Sequence, residues 1–178
     1  VFFGTGFEEI EALTVVDILR RAGIETDMVS VMDQRTVMGS HQIPVVMDKL
    51  LSEVDFGSVD VLILPGGLGG TKNLEANEAL MEQVDAFAGN GKMVCAICAA
   101  PSILGHRGIL KGKKAIAYPG FEDQLTGAQV VDEPAVRDGN IITGRGMGCS
   151  IPFALEILKY LTDEETAKEM AEKIVYQS

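Results

Sequence analysis

Cys98 is the residue of this 178-residue chain best placed to act as a nucleophile. It ends the apolar run Met93-Val94-Cys95-Ala96-Ile97 and opens Cys98-Ala99-Ala100-Pro101, where a buried strand turns into a helix. Such a turn exposes a side chain above the carboxyl edge of a parallel sheet. N–H groups at the start of the helix favour a thiolate over a thiol, which predicts a lowered pKa for Cys98. The plainer alternative is a small buried hydrophobe, the usual fate of a free Cys; the position at the turn favours the nucleophile. Glu11 is the second residue at odds with its surroundings. On a helical wheel it shares a stripe with Val15, Ile18 and Ala22, whereas Glu8 and Glu9 are ordinary first-turn acids. A carboxyl on that apolar side is costly when ionised and unpaired, which predicts a raised pKa and a group able to donate to, or accept from, a cysteine sulfur. A partly exposed Glu at a helix start accounts for the same spacing equally well. Gly66 and Gly67 follow a strand and precede a helix, where backbone N–H groups can face a substrate oxygen. A plain strand-to-helix turn has the same composition.

Other constellations fail on spacing. Cys95-Ala96-Ile97-Cys98 is formally Cys-x-x-Cys, but Cys95 lies within a strand among apolar neighbours and is predicted to be buried and poorly aimed for exchange. His106 lies about 12 Å down the helix that follows Cys98, too far for a Cys–His dyad. His41 falls in an irregular excursion and is a candidate for the rim only. Two scattered His and no Cys cluster predict no metal site. The glycines of residues 66–70 are not followed by Gly-Lys-Ser/Thr and do not match the dinucleotide fingerprint. Gly144-Arg145-Gly146-Met147-Gly148 precedes a helix too near the chain's end for that role, so no cofactor is expected.

The candidate residues sit in three stretches, 4–11, 65–70 and 98–101, each following an apolar run, where ligands of open parallel sheets bind. Val1-Phe2-Phe3 reads as the end of a strand whose beginning lies upstream. A helix is predicted over about 8–22, stopped by Gly23. Strands are predicted over 26–31, 59–64 and 93–97, with a helix over about 74–88 closed by Gly89-Asn90-Gly91. A helix follows Cys98, and strands follow over 114–118, 129–132 and 141–143. Residues 35–46, with Gly39 and Pro44, read as a hairpin-like excursion outside the core sheet. Final helices are predicted over 151–160 and 163–175, with Thr162 and Glu165 as a capping box. Short β-branched runs alternating with helical patterns predict the α/β class: a doubly wound, mainly parallel sheet in a single domain over residues 1–178.

Composition narrows the function classes. Fifteen basic against 26 acidic residues leave a net charge of −11, and no Lys/Arg cluster offsets it, so neither nucleic acid nor an anionic membrane surface is an expected partner. No apolar run approaches the ~20 residues of a membrane span, and no signal-type segment opens the chain. Three Cys without framework spacing predict a reducing cytoplasm.

Gly6-Phe7-Glu8-Glu9-Ile10-Glu11, Leu64-Pro65-Gly66-Gly67, Ala96-Ile97-Cys98-Ala99-Ala100-Pro101 and Gly144-Arg145-Gly146 stand in the order found in the ThiJ/PfpI superfamily. The chain most resembles its DJ-one branch, named for the Parkinson-disease protein, over nearly its whole length. The pairing of a first-helix Glu with the Ala-Ile-Cys-Ala turn is specific; the Pro-Gly-Gly turn alone is not. The resemblance implies a flavodoxin-like three-layer sandwich, a homodimer, and Cys98 as the reactive cysteine with Glu11 as its carboxyl partner. It also implies backbone N–H groups of Gly66, Gly67 and Ala99 around the substrate oxygen. The implied activity is a cysteine-dependent, glutathione-independent glyoxalase or deglycase acting on a small aldehyde of the 2-oxoaldehyde class, such as methylglyoxal, without a cofactor. The alternative implied is an oxidative-stress sensor or redox-linked chaperone that uses oxidation of Cys98. Three departures stand out. Tyr118 replaces the His that the human-like branch carries near the Cys; a phenol donates a hydrogen bond but is a poor base near neutrality, so proton transfer falls to Glu11. Ala99 stands where protease-like relatives carry His, which argues against peptide hydrolysis. His41 stands where human-like members place an Arg.

Overall fold

All five side chains of Met93–Ile97 are buried, so the sheet that contains them must be covered on both faces. The computed structural model describes residues 1–177. Its elements in chain order are β1 (Phe2–Phe3), α1 (Glu9–Arg21), β2 (Val29–Ser30), β3 (Thr36–Met38), β4 (Pro44–Val46), β5 (Lys49–Leu50), β6 (Val61–Leu64), α2 (Leu68–Glu75) and α3 (Glu78–Gly89). There follow β7 (Met93–Ile97), α4 (Pro101–His106), β8 (Lys114–Ala115), β9 (Gln129–Val130), β10 (Ala135–Asp138), β11 (Ile141–Gly144), α5 (Ser150–Leu161) and α6 (Glu164–Lys173).

Strand β7 lies between β6 and β11 and is parallel to both, while β10 runs antiparallel along the outer side of β11. A second parallel ladder, β1-β2-β5, places β1 beside β6. The pleat then sorts side chains onto two faces. Ile63, Cys95, Ile97 and Ile142 join Phe3, Leu19, Phe153 and Ile157 in a core beneath α1 and α5. Leu62, Leu64, Val94 and Ile141 join Leu80, Val84, Ile103 and Leu104 in a second core beneath α3 and α4. This is a flavodoxin-like three-layer α/β sandwich with a mainly parallel sheet, the class the residue patterns predict.

Most predicted elements form, several of them shortened. Helix α1 stops where expected, with Gly23 at φ +76° letting the Ile24 N–H reach back to the Leu19 carbonyl at 3.0 Å. The excursion over residues 35–46 is the antiparallel hairpin β3–β4. Strand pairing covers only Val29–Ser30 and Lys114–Ala115 within the longer runs predicted at 26–31 and 114–118. Three expectations are corrected. The helix predicted over about 74–88 is two helices, because the Asn77 side chain accepts the Leu80 N–H at 3.0 Å and starts α3 afresh. The capping box at Thr162 and Glu165 does not form: the Thr162 hydroxyl donates back to Leu158 at 2.7 Å, and Asp163 caps α6 through the Thr166 N–H. Strand β10 was not predicted, since Ala135–Asp138 is a half-polar edge strand paired on one side only.

Helix α4 is short and closely packed. A Cβ on Gly105 would collide with the Gln124 carbonyl and come within 2.9 Å of the Leu125 Cα. Helix propensity favours Ala over Gly by about 1 kcal/mol, but backbone on the far side cannot give way. Gly105→Ala is therefore expected to destabilise the fold by about 1–3 kcal/mol. In urea denaturation the midpoint should fall at unchanged slope.

Candidate active site

Strand β7 delivers Cys98 to the carboxyl edge of the sheet, and Cys98 adopts φ +65°, in the left-handed region that non-glycine residues avoid. Strain of this kind costs about 1–3 kcal/mol and persists only where neighbours enforce it. Here the Cys98 N–H donates to the Gly144 carbonyl at 2.9 Å, and the Cys98 carbonyl accepts the Tyr118 N–H at 2.8 Å. The turn is thereby fastened on both sides, with Pro101 opening α4 just beyond it.

Helix α1 brings Glu11 to the same point, 1% exposed. Its Oε2 accepts the Gly66 N–H at 2.9 Å, its Oε1 has no hydrogen-bond partner among the described residues, and Oε2 and the Cys98 Cβ both lie against Gly66. Burial pushes Glu11 up to about 7, against the opposing hydrogen bonds from Cys98 and Gly66. Burial pushes the Cys98 thiol up to about 12, and the charge of an ionised Glu11 adds to it; the Ala99 and Gly67 N–H groups act the other way. The expectation of a thiol lowered by helix N–H groups is thus overturned beside an ionised Glu11. The helix opens on Pro101, which has no N–H, and two donors do not offset burial next to a carboxylate. Protonating Glu11 removes that repulsion and turns the carboxyl into a donor toward sulfur, so the thiolate form of the pair is the one with the proton on Glu11.

The two glycines divide their roles. A Cβ on Gly66 would lie 2.5 Å from Glu11 Oε2 and 2.7 Å from the Cys98 Cβ, so the missing side chain is what lets both side chains close on this turn. The Gly66 N–H is committed to Glu11 rather than turned to a substrate oxygen, which corrects the role the resemblance implied for it. Gly67, at φ +84°, and Ala99 carry the N–H groups that act to lower the Cys98 thiol.

A cavity of about 650 Å³ opens above this pair. Its lining includes the polar Glu8, Ser40 and His41 and the large apolar or aromatic Leu68, Tyr118, Phe121 and Met147. His41, at the tip of the β3–β4 hairpin, is held by Glu9. The Glu9 carboxylate accepts the His41 N–H at 2.7 Å and the Ser40 hydroxyl at 2.9 Å, and its Oε2 lies 3.0 Å from His41 Nδ1. By its spacing Glu9 is a routine first-turn acid, and nothing local marks it, because its partners arrive with a hairpin some thirty residues later. Burial would raise its carboxyl, but the His41 and Ser40 hydrogen bonds win and hold it at about 2; His41 is raised in turn, chiefly by Glu9. A carboxylate held below its ordinary 4.5 contributes stability that is complete above about 4.5 and is lost as pH falls through about 2. Glu9→Gln is therefore expected to flatten the acid limb of the pH–stability curve over that window, as followed by thermal melting.

Glu8, Glu9 and His41 also bring three potential metal-ligand atoms within 4.8 Å of one another. The hydrogen bonds just described occupy both Glu9 oxygens and His41 Nδ1, which is the geometry of a fastened hairpin. Cys95 is fully buried in the core beneath α1, with its thiol pushed well up by burial. His106 pairs with Glu75 at 2.7 Å on the surface. Cys95, Cys98 and Cys149 are all free.

The sequence profile of the DJ-1/PfpI family matches residues 1–160. Protein dj-1beta of Drosophila melanogaster is 34% identical over 177 residues, covering 98% of this chain and 95% of that protein. The Parkinson disease protein 7 homolog of Danio rerio is 32% identical over 179 residues, covering 98% and 95%. Among solved structures, oxidized DJ-1 of Toxoplasma gondii superposes with a TM-score of 0.95 at 35% identity, covering 99% of this chain and 97% of that one.

Proposed function

The chain belongs to the DJ-1/PfpI family, and from that premise we propose that it is a cysteine-dependent, glutathione-independent glyoxalase or deglycase-type enzyme acting on 2-oxoaldehydes such as methylglyoxal. The observation that carries the reading is the buried Glu11 carboxyl, poised near neutrality against the Cys98 thiol beneath an open cavity. The Cys98 thiolate adds to the aldehyde carbon of a 2-oxoaldehyde; a C–S bond forms and the carbonyl π pair becomes an alkoxide that takes a proton. The Gly67 and Ala99 N–H groups face that oxygen. Glu11, which gave the alkoxide its proton and is now ionised, removes the proton from the same carbon, giving an enediolate, and returns it to the adjacent carbon as the hydroxyl proton passes to the neighbouring oxygen. The result is a thioester of a 2-hydroxy acid. Water cleaves it, releasing the acid and the thiol. The aldehyde carbon is oxidised and its neighbour reduced, so no external oxidant or cofactor enters.

A second reading, a stress sensor or redox-linked chaperone, is favoured by one observation: a Glu11 that is protonated near pH 7 can donate a hydrogen bond to an oxidised Cys98. In that case thiolate attack on a peroxide breaks the O–O bond, and a second peroxide takes the sulfenate to a sulfinate. The proposal further includes a second copy of this chain as partner and a cytoplasmic setting. The test is lactate formation from methylglyoxal without glutathione, for the native protein, Cys98→Ala and Glu11→Gln. Turnover in the native protein, lost at least ~100-fold in both variants, supports the enzyme. No turnover by the fully reduced native protein sinks it in favour of redox sensing.

A further inference from the structure

The cavity over Cys98 is larger than a three-carbon oxoaldehyde needs. At about 650 Å³ it lies in the range, roughly 300–1,000 Å³, that holds much larger ligands. The reacting groups occupy only its floor: Cys98, Glu11 and the N–H groups of Gly67 and Ala99. Beside them stands an apolar wall of Leu68, Tyr118, Phe121 and Met147. Leu68, Tyr118 and Met147 are 64%, 50% and 49% exposed, although large apolar side chains are ordinarily withdrawn from water.

Separate segments place them there. Leu68 opens α2 directly after Gly67. Tyr118 is anchored by its N–H to the Cys98 carbonyl. Met147 follows Gly146, whose missing side chain leaves room for the Tyr118 ring; a Cβ there would come within 3.1 Å of it. Among the described residues no Lys or Arg lines the cavity, and the His41 imidazole is engaged by Glu9 through Nδ1. A phosphate or a carboxylate would meet one imidazole already paired with Glu9, with the Glu8 and Glu11 carboxyls beside it, whereas an apolar group would cover the wall and lose its own hydration.

We infer that the preferred substrate is a 2-oxoaldehyde with a bulky apolar substituent, aryl or branched alkyl, and that Leu68, Tyr118, Phe121 and Met147 set this specificity. The inference rests on the glyoxalase reading above. One methylene in an apolar pocket is worth about 10- to 200-fold in discrimination, so a ring in place of a methyl group should raise kcat/KM at least ~10-fold.

The test compares kcat/KM for methylglyoxal, phenylglyoxal and cyclohexylglyoxal. The saturated ring separates size from the electronic activation of an aryl ketone. The native protein should favour both ring substrates by at least ~10-fold. In the double variant Leu68→Ser with Met147→Ser that preference should fall at least ~5-fold, and Leu68→Ile with Met147→Leu should restore it. Thermal melting of each variant checks that the fold is kept, and both positions are exposed enough for that. Equal kcat/KM for the three substrates, or a preference unmoved by the serine pair, overturns the inference and leaves the glyoxalase reading standing. No turnover of any of the three overturns both.

Discussion

Glu11→Gln is expected to raise the melting temperature measured at pH 8 by roughly 6–12 °C while removing turnover. Glu11 is raised from its ordinary 4.5 to about 7. Between those values the native state holds a proton that the unfolded chain has released. Stability therefore falls as pH rises through that window, by about 3 kcal/mol in all, and stays flat above it. Gln never ionises, so the variant escapes the decline, and its amide oxygen still accepts the Gly66 N–H. Native and variant melting temperatures should converge near pH 4 and diverge up to pH 7. Turnover should drop by about 10²–10⁴, the usual worth of a positioned base. Parallel pH curves for the two proteins would show that Glu11 ionises without cost in the fold.

Gly66→Ala should be damaging in both respects at once. Its φ is not in the left-handed region, so the backbone tolerates alanine; the difficulty is space. The new methyl would meet Glu11 Oε2 at 2.5 Å, the Cys98 Cβ at 2.7 Å and the Ile97 carbonyl at 2.9 Å. Moving Glu11 aside strands the buried Gly66 N–H, and overpacking adds to that loss, for about 2–4 kcal/mol together. A displacement of about 1 Å in a catalytic group costs about 100-fold in rate, so turnover should fall at least that far. Gly148→Ala is the matched control, since a Cβ there meets nothing within 4 Å; its melting temperature should match the native protein's. An active, stable Gly66→Ala protein would mean that the Glu11–Cys98 contact is dispensable.

Cys98 and Glu11 were legible in the sequence because each breaks a local pattern: a cysteine at the end of an apolar strand, a carboxylate on an apolar helix stripe. The layered sheet was legible because its central strands are continuous apolar runs with helical periods between them. What escaped depends on partners distant along the chain. Glu9 looks like any helix-start acid until the β3–β4 hairpin supplies Ser40 and His41. The Gly66 N–H looks free until α1 lays Glu11 beside it. Strand β10 is half polar because only one of its edges is paired. The capping error at Thr162 is a local competition: its hydroxyl found the preceding helix's last turn first.

The hydrogen bonds that hold Cys98 in its strained conformation come from Tyr118 and Gly144, both later in the chain. A ribosome adds roughly 5–20 residues per second, so for seconds after Cys98 is made its clasp does not yet exist. Throughout that interval the cysteine lacks the two hydrogen bonds that hold its left-handed backbone. The strained turn is thus set by completion of the sheet, and a chain cut short before Gly144 lacks one of the two hydrogen bonds that define it.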